Sequence, residues 1–262
     1  MEKIMDAEKS LDFLLQWLLD EGKYTESIPC DPEGKWRLFR ALVNLREPRP
    51  VNNEILAVQD YLLQNLIAEK GVTDTDSLRP IRGNICLWRG DITTLKTGAI
   101  VNAANSNMLG CFAPNHGCID NAIHTYAGVQ LRLKCADMME KQGHPEPIGQ
   151  AKITPAYNLP SKYILHTVGP IITGKLTPED CDLLASCYQS CLALAEQYGI
   201  ESIVFCCIST GEFRFPNEEA AEIAIQTVIR YLAERQKQVR IIFNVFKKID
   251  YDIYAHKLGN IS

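Results

Sequence analysis

The feature that most constrains this fold is a change of texture near residue 80. Beyond it, short apolar runs alternate with long amphipathic stretches. The runs are NICLWRG (84–90), GAIVNAAN (98–105), AKITPAYNL (151–159), YILHTVG (163–169), SIVFCCI (202–208) and RIIFNVF (240–246), and each reads as a strand. Several are apolar throughout, as expected of strands covered on both faces. Helices are predicted between or after them at 177–199, 217–236 and 250–259. The first has Thr177 as N-cap, Pro178 at its first position and acids in its first turn. Strands alternating with helices predict a layered α/β sheet.

Residues 1–73 show no strand-like alternation. Leu11, Leu14, Leu15, Leu18 and Leu19 share one helix face, and Gly22 follows as a stop. A second helix is predicted at 34–46, ended by Glu47-Pro48-Arg49-Pro50. A third is predicted at 52–71, with Asn52 or Asn53 as cap and Gly71 closing it. TDTDSLRP (73–80) is polar and reads as a linker or domain edge. The expected division is therefore a helical N-terminal extension, 1–80, and an α/β domain, 81–262.

Composition narrows the function classes. Of 262 residues, 46% are hydrophobic and 23% charged, which excludes disorder, collagen-like repeats and coiled coil as the main architecture. A net charge of −5 argues against general nucleic-acid binding, which needs clustered Lys and Arg. The first residues show no basic start with an apolar run and cleavage site, and no stretch of ~18 uncharged apolar residues occurs, so neither a signal peptide nor a membrane span is predicted. The expected compartment is the cytoplasm, with thiols reduced. Most of the ten cysteines, including Cys187, Cys191, Cys206 and Cys207, then read as small buried hydrophobes.

The chemistry is concentrated at strand ends. AIVNAAN closes a buried strand with Asn102 and Asn105, which either hold a sugar hydroxyl or form the turn. Cys111, His116 and Cys118 follow as C-x4-H-x-C. Two thiolates and an imidazole suit Zn²⁺, and a loop this short can wrap one ion; the plainer reading is two buried cysteines and a polar histidine. Asp120, His124 and Cys135 are candidates for a fourth ligand. In ISTGEFRFPNEEA (208–220), Ser209, Thr210 and Gly211 sit where a strand–turn–helix junction could receive phosphate on backbone N–H groups, although any such junction uses these residue types. Phe213 and Phe215 flank this loop. Phe246 ends a strand, where an aromatic stacks on a base or fills core.

Taken together, these segments resemble the macrodomain, an ADP-ribose-binding α/β module. The resemblance rests on GDITTLKTGAIVNAANSNMLG (90–110), IDNAIHTYAG (119–128), AKITPAYNLPSKYILHTVGP (151–170), CISTGEFRFPNEEAAEIAI (207–225) and IIFNVFKKIDYDIY (241–254), in that order, and covers residues 81–262. It implies a three-layer α/β/α mixed sheet. Hydrolytic members usually follow VNAAN with a glycine-rich loop and an acidic residue. Here the loop is CFAPNHGC, with His116 about where that acid would stand. This looks like the microbial zinc-containing, MacroD-like branch, whose members carry a Cys–His–Cys metal loop and a helical N-terminal extension.

By position, the resemblance implies that Asp91 accepts from the adenine amine, that the Ile92 backbone touches the ring, and that Phe246 stacks on it. Ser209, Thr210, Gly211, Glu212 and Phe213 would wrap the diphosphate and distal ribose, and Asn105 would hold that ribose. Cys111, His116 and Cys118 would bind one zinc ion, with Cys118, Ile119 and Asp120 close to the pyrophosphate and ribose. Asn105 and Asp120 are the catalytic candidates, Asp120 as the nearest general base. Arg214 stands where the family often has Gly, and either gates the cleft or adds a phosphate contact. The implied activity is hydrolysis of the bond between mono-ADP-ribose and a modified protein, for some members a lipoyl carrier protein. The competing readings are an ADP-ribose-binding module with a structural zinc and no turnover, and an interaction protein built on the helical extension.

Overall fold

The computed structural model describes residues 6–235 and 238–260. The end of the helix expected at 217–236, and both outer ends of the two expected domains, lie outside the described residues.

The N-terminal region is helical, as expected. α1 (Ala7–Gly22) starts at Asp6, whose side chain accepts from the Lys9 N–H. α2 (Pro32–Leu45) begins two residues earlier than the periodicity predicts, because Asp31 caps it and Pro32 occupies its first turn. α3 (Asn53–Lys70) is capped by Asn52 and closed by Gly71 at φ 86°. Leu14, Leu15, Leu62 and Leu63 are fully buried in a core of their own among these three helices. Each such leucine contributes roughly 1.5–3 kcal/mol.

The stretch 73–80 is more ordered than a linker. β1 (Thr73–Asp74) pairs in parallel with β3 (Leu95–Lys96), and a short 3-10 turn follows at Thr75–Ser77. The other strands are β2 (Ile85–Arg89), β4 (Ala99–Ala104), β5 (Ala151–Pro155), β6 (Tyr163–Val168), β7 (Ser202–Phe205) and β8 (Arg240–Val245). They form one sheet in the order β2-β8-β7-β4-β6-β5, in which only β5 runs antiparallel.

The remaining helices are α4 (Ile119–Ala127), α5 (Val129–Gln142), α6 (Pro178–Gln197), α7 (Asn217–Arg235) and α8 (Lys248–Asn260). The expected capping of α6 is present in full: Thr177 and Asp180 exchange side-chain and backbone bonds. Register shows that the helices lie on both faces of the sheet. Phe205 and Phe243 are partners in β7 and β8, and they meet Tyr188 of α6 and Tyr254 of α8. Val204 points the other way, with its partner Ile100. Asn102 shares that side and reaches Asp120 of α4. The architecture is thus a mixed sheet between two helical layers, preceded by three helices.

All ten cysteines are free; Cys86, Cys135, Cys187, Cys191 and Cys206 are buried, whereas Cys207 is partly accessible and Cys30 is exposed. No described helix is long and apolar enough to cross a membrane.

Candidate active site

β2, β4, β7 and β8 run in the same direction, so their carboxyl ends share one edge of the sheet. Asp91 follows β2, Asn105 follows β4, Ser209–Phe213 follow β7 and Phe246 follows β8. Residues spread over more than 150 positions of sequence therefore converge on the edge where open α/β sheets bind ligands. Phe246 is 77% exposed, so it belongs to this surface and not to the core.

Asp91 caps a 3-10 turn, Ile92–Thr94, and Ile92 is buried behind it. One Asp91 oxygen accepts from the Thr93 N–H and hydroxyl, and the other takes the Lys70 ammonium at 2.8 Å. Burial tends to raise this carboxyl, but Lys70 and Thr93 outweigh it and hold it below its usual value. Lys70 also lies over the Tyr126 ring, 3.6 Å from its centre.

The loop after β7 presents backbone. Ser209 adopts φ 64° and Arg214 φ 58°, a left-handed conformation that explains why glycine suits the Arg214 position. Ser209 packs against Gly169, where a Cβ would lie 2.0 Å from its hydroxyl. The Phe215 N–H donates to Ser209 O, and the Ile172 N–H donates to Phe213 O. The N–H groups of Gly211, Glu212 and Phe213 find no acceptor among the described residues, which leaves them for an anion.

The loop after β4 presents side chains. The donor atoms of Cys111, His116 and Cys118 lie within 4.8 Å of one another. The His116 Nδ1 is 3.5 Å from the Cys111 sulfur, while its Nε2 faces Glu212 Oε1 at 3.5 Å. That orientation turns Nδ1 toward the Cys111 sulfur, where a metal would sit, with the Glu212 carboxylate near Nε2. Cys118 is the N-cap of α4, its sulfur accepting from the Asn121 N–H at 3.4 Å. Burial pushes the Cys118 thiol up to about 12, so a cation is what would hold it as thiolate. The donor set fits a divalent soft-to-borderline ion. His124 and Cys135 do not join it: they are buried with His166 in a separate cluster.

Asp120 lies in the first turn of α4 and is 5% exposed. It accepts from Asn102 at 2.8 Å and from Asn105 at 3.3 Å. Burial raises its carboxyl to about 6, against the pull of Asn102, Arg132 and Asn105. Asn105 is first of all a turn residue: its amide donates to Gly110 O and its Oδ1 accepts from the Asn107 N–H. A second lone pair on Oδ1 remains for a ribose hydroxyl. Asn102 is fully buried and serves the carboxylate and His166 instead of a sugar. Lys70 and the Asn102–His166 pair carry no sequence signal, because their partners are remote in the chain.

A family model described as Macro domain matches residues 101–224. A relative from Treponema medium, named protein-ADP-ribose hydrolase, is 53% identical over 248 residues, covering 92% of this chain and 95% of the relative. The chain belongs to the macrodomain family. A Trypanosoma brucei macrodomain solved in complex with ADP-ribose is 31% identical, with a TM-score of 0.65 over 84% of this chain and 95% of that one. An Oceanobacillus iheyensis macrodomain with ADP is 40% identical, with a TM-score of 0.61 over 69% and 93%. The macrodomain sheet is the one the sequence led one to expect, with α5 (Val129–Gln142) as a flanking helix it did not, and a hydrolase agrees with the name of the near-full-length relative.

Proposed function

We propose that this macrodomain is a zinc-dependent hydrolase that removes mono-ADP-ribose from modified protein side chains. The observation that carries the reading is the cluster of Cys111, His116 and Cys118 donors within 4.8 Å, set at the same sheet edge as Asn105 and the 209–213 loop. The name of the Treponema medium relative and the ADP-ribose in the Trypanosoma brucei structure support it. The chain divides, in this reading, into an extension ending near residue 80 and a macrodomain from residue 81.

Phe246 stacks on adenine, whose amine donates to Asp91 beside the Ile92 backbone. The carboxylate oxygen that holds Lys70 keeps a second lone pair for that contact. Gly211, Glu212 and Phe213 N–H groups receive the diphosphate, with Ser209 and Thr210 shaping the turn. Asn105 Oδ1 accepts from the distal ribose, and Asp120 holds the Asn105 amide from behind. Ile119 and Cys118 open α4 toward the sugar and pyrophosphate. A zinc ion held by Cys111, His116 and Cys118 would supply Lewis-acid polarisation at the distal ribose, softened by charge from two thiolates. Asp120 is the carboxylate proposed to accept the proton of the attacking water.

The test pairs metal analysis with turnover on mono-ADP-ribosylated protein, a lipoyl carrier protein first. One zinc per chain is expected, with release stopped by chelator and by Cys111→Ala while ADP-ribose still binds. Equal release by wild type and Cys111→Ala would end the metal reading, and binding without release would leave a reader module.

A further inference from the structure

The metal loop has few bonds of its own. Within it, the His116 N–H donates to Ala113 O at 3.2 Å, and Asn115 stands at φ 55°, a conformation that most side chains resist. Besides Asn121 of α4, which bonds Ala113 O and the Cys118 sulfur, its polar partners include two side chains of α2, some 70 residues earlier in the chain. Arg40 donates to His116 O at 2.6 Å and, through Nη2 and Nε, to Asn121 Oδ1 at 2.7 and 3.1 Å. Asn121 in turn donates from its side chain to Ala113 O and from its N–H to the Cys118 sulfur. One guanidinium therefore ties the carbonyl of one ligand residue to the residue that positions another ligand's sulfur.

Asn44 lies one turn further along the same helix and is 1% exposed. Its Oδ1 accepts from the Asn115 N–H at 3.0 Å, and its amide donates to the Thr125 hydroxyl. That bond pins the left-handed residue next to His116. Arg132 of α5 closes the arrangement, donating to Leu109 O before the loop and to the Val43, Asn44 and Arg46 carbonyls at the end of α2. The extension is also docked elsewhere without touching the loop: Gln59 of α3 bonds Gln130 and the Val129 N–H.

We propose that Arg40 and Asn44 are positioning residues of the metal site: the helical extension presets the 111–118 loop in the shape that takes up the ion. The inference rests on the metal reading above. Outer partners of metal ligands are worth about 10- to 100-fold in metal affinity, which sets the scale expected here.

The experiment measures zinc affinity of the full chain by competition with a chromophoric chelator, alongside calorimetric ADP-ribose binding and thermal melting. Arg40→Met and Asn44→Ala should each weaken zinc at least about tenfold while ADP-ribose affinity stays within about twofold. Arg40→Lys keeps stem and charge but cannot bridge two acceptors in one plane, so it should fall with Arg40→Met and covers the case in which that variant misfolds. Gln59→Ala should lower the melting temperature and leave zinc affinity unchanged. Wild-type zinc affinity in Arg40→Lys and Asn44→Ala overturns the inference, as does an equal loss in Gln59→Ala, which would make the effect one of docking alone. A Cys111-dependent zinc that these variants leave untouched overturns only this inference. A wild-type chain that takes up no zinc overturns the metal reading along with it.

Discussion

Two loops face each other across the cleft, and they are built on opposite principles. The loop after β7 offers backbone N–H groups, and its own bonds, Phe215 to Ser209 and Arg214 to Gly211, hold it together with one from Ile172 after β6 to Phe213. Phe215 is buried beneath it as an anchor. The loop after β4 offers three side chains, and a helix outside the sheet holds it through Arg40 and Asn44. His116 and Glu212 approach across the gap at 3.5 Å. A backbone site depends on dihedral angles and tolerates many side chains, whereas a side-chain site loses its chemistry with one replaced atom. Binding and turnover should therefore be separable in this molecule.

The largest expected effect tests that separation directly. Cys111→Ala removes one of the three donors and leaves the α4 cap in place, and ADP-ribose release should drop about a hundredfold or more. ADP-ribose affinity, measured by calorimetry, should change by less than about threefold. Equal losses in both would break the contrast, because they would place the metal loop within the binding surface itself. The mirror variant is Gly169→Ala. Its new Cβ would sit 2.0 Å from the Ser209 hydroxyl and 2.9 Å from Ile208 Cγ2, so the side chains at the start of the β7 loop must give way. ADP-ribose affinity should fall about tenfold, or ~1.4 kcal/mol, with metal content unchanged.

The two loops were also unequally legible in the sequence. The metal loop could be read because its donors lie within one octet, Cys111 to Cys118, and local spacing is what a sequence displays. The capping of α6 could be read for the same reason. What holds the metal loop and the strand end beneath it could not. Arg40 meets Asn121 across 81 positions and Asn102 meets His166 across 64, and neither pair leaves a periodic trace. α5 was invisible as well, since it starts directly after Gly128 with no side-chain cap and interleaves Lys134, Asp137 and Lys141 with its apolar residues. The expected strands at 151–159 and 202–208 end early, at Pro155 and Phe205, because apolar residues continue into the turns that build the site.

A smaller effect tests the floor beneath the β4 loop by pH. Asn102 donates to His166 Nδ1, so His166 Nε2–H donates to the Thr154 hydroxyl and the ring is neutral. Burial lowers its pKa from 6.5 to about 3. The unfolded chain then binds a proton that the folded chain refuses. This group's contribution to stability is intact above pH ~6.5 and is lost at ~1.4 kcal/mol per unit as pH falls toward 3. Denaturant melts of a Cys111→Ala background, which removes metal release from the comparison, should show a flatter acid limb once His166→Gln is added. An unchanged limb would mean that the acid sensitivity lies with other groups, among them the buried His124 of α4, whose pKa burial also lowers.

The smallest expected effect lies on the adenine side. Lys70 and Asp91 are both about one-third exposed, at 33% and 35%, so solvent screens their pair and its worth is about 0.5 kcal/mol. Because the Asp91 pKa is depressed, this stability is present above the carboxylate's unfolded value near 4 and is lost as pH falls through the folded one. Lys70→Met should therefore lower the melting temperature by roughly 1–2 °C at pH 7, with the gap closing below pH ~4. ADP-ribose affinity should hold within about threefold, since Thr93 still orients Asp91 through both its N–H and its hydroxyl. A gap that persists in acid would assign the loss to the lysine over the Tyr126 ring and not to the ion pair. The extension would then support the adenine side by packing alone, while on the metal side it acts through directed hydrogen bonds.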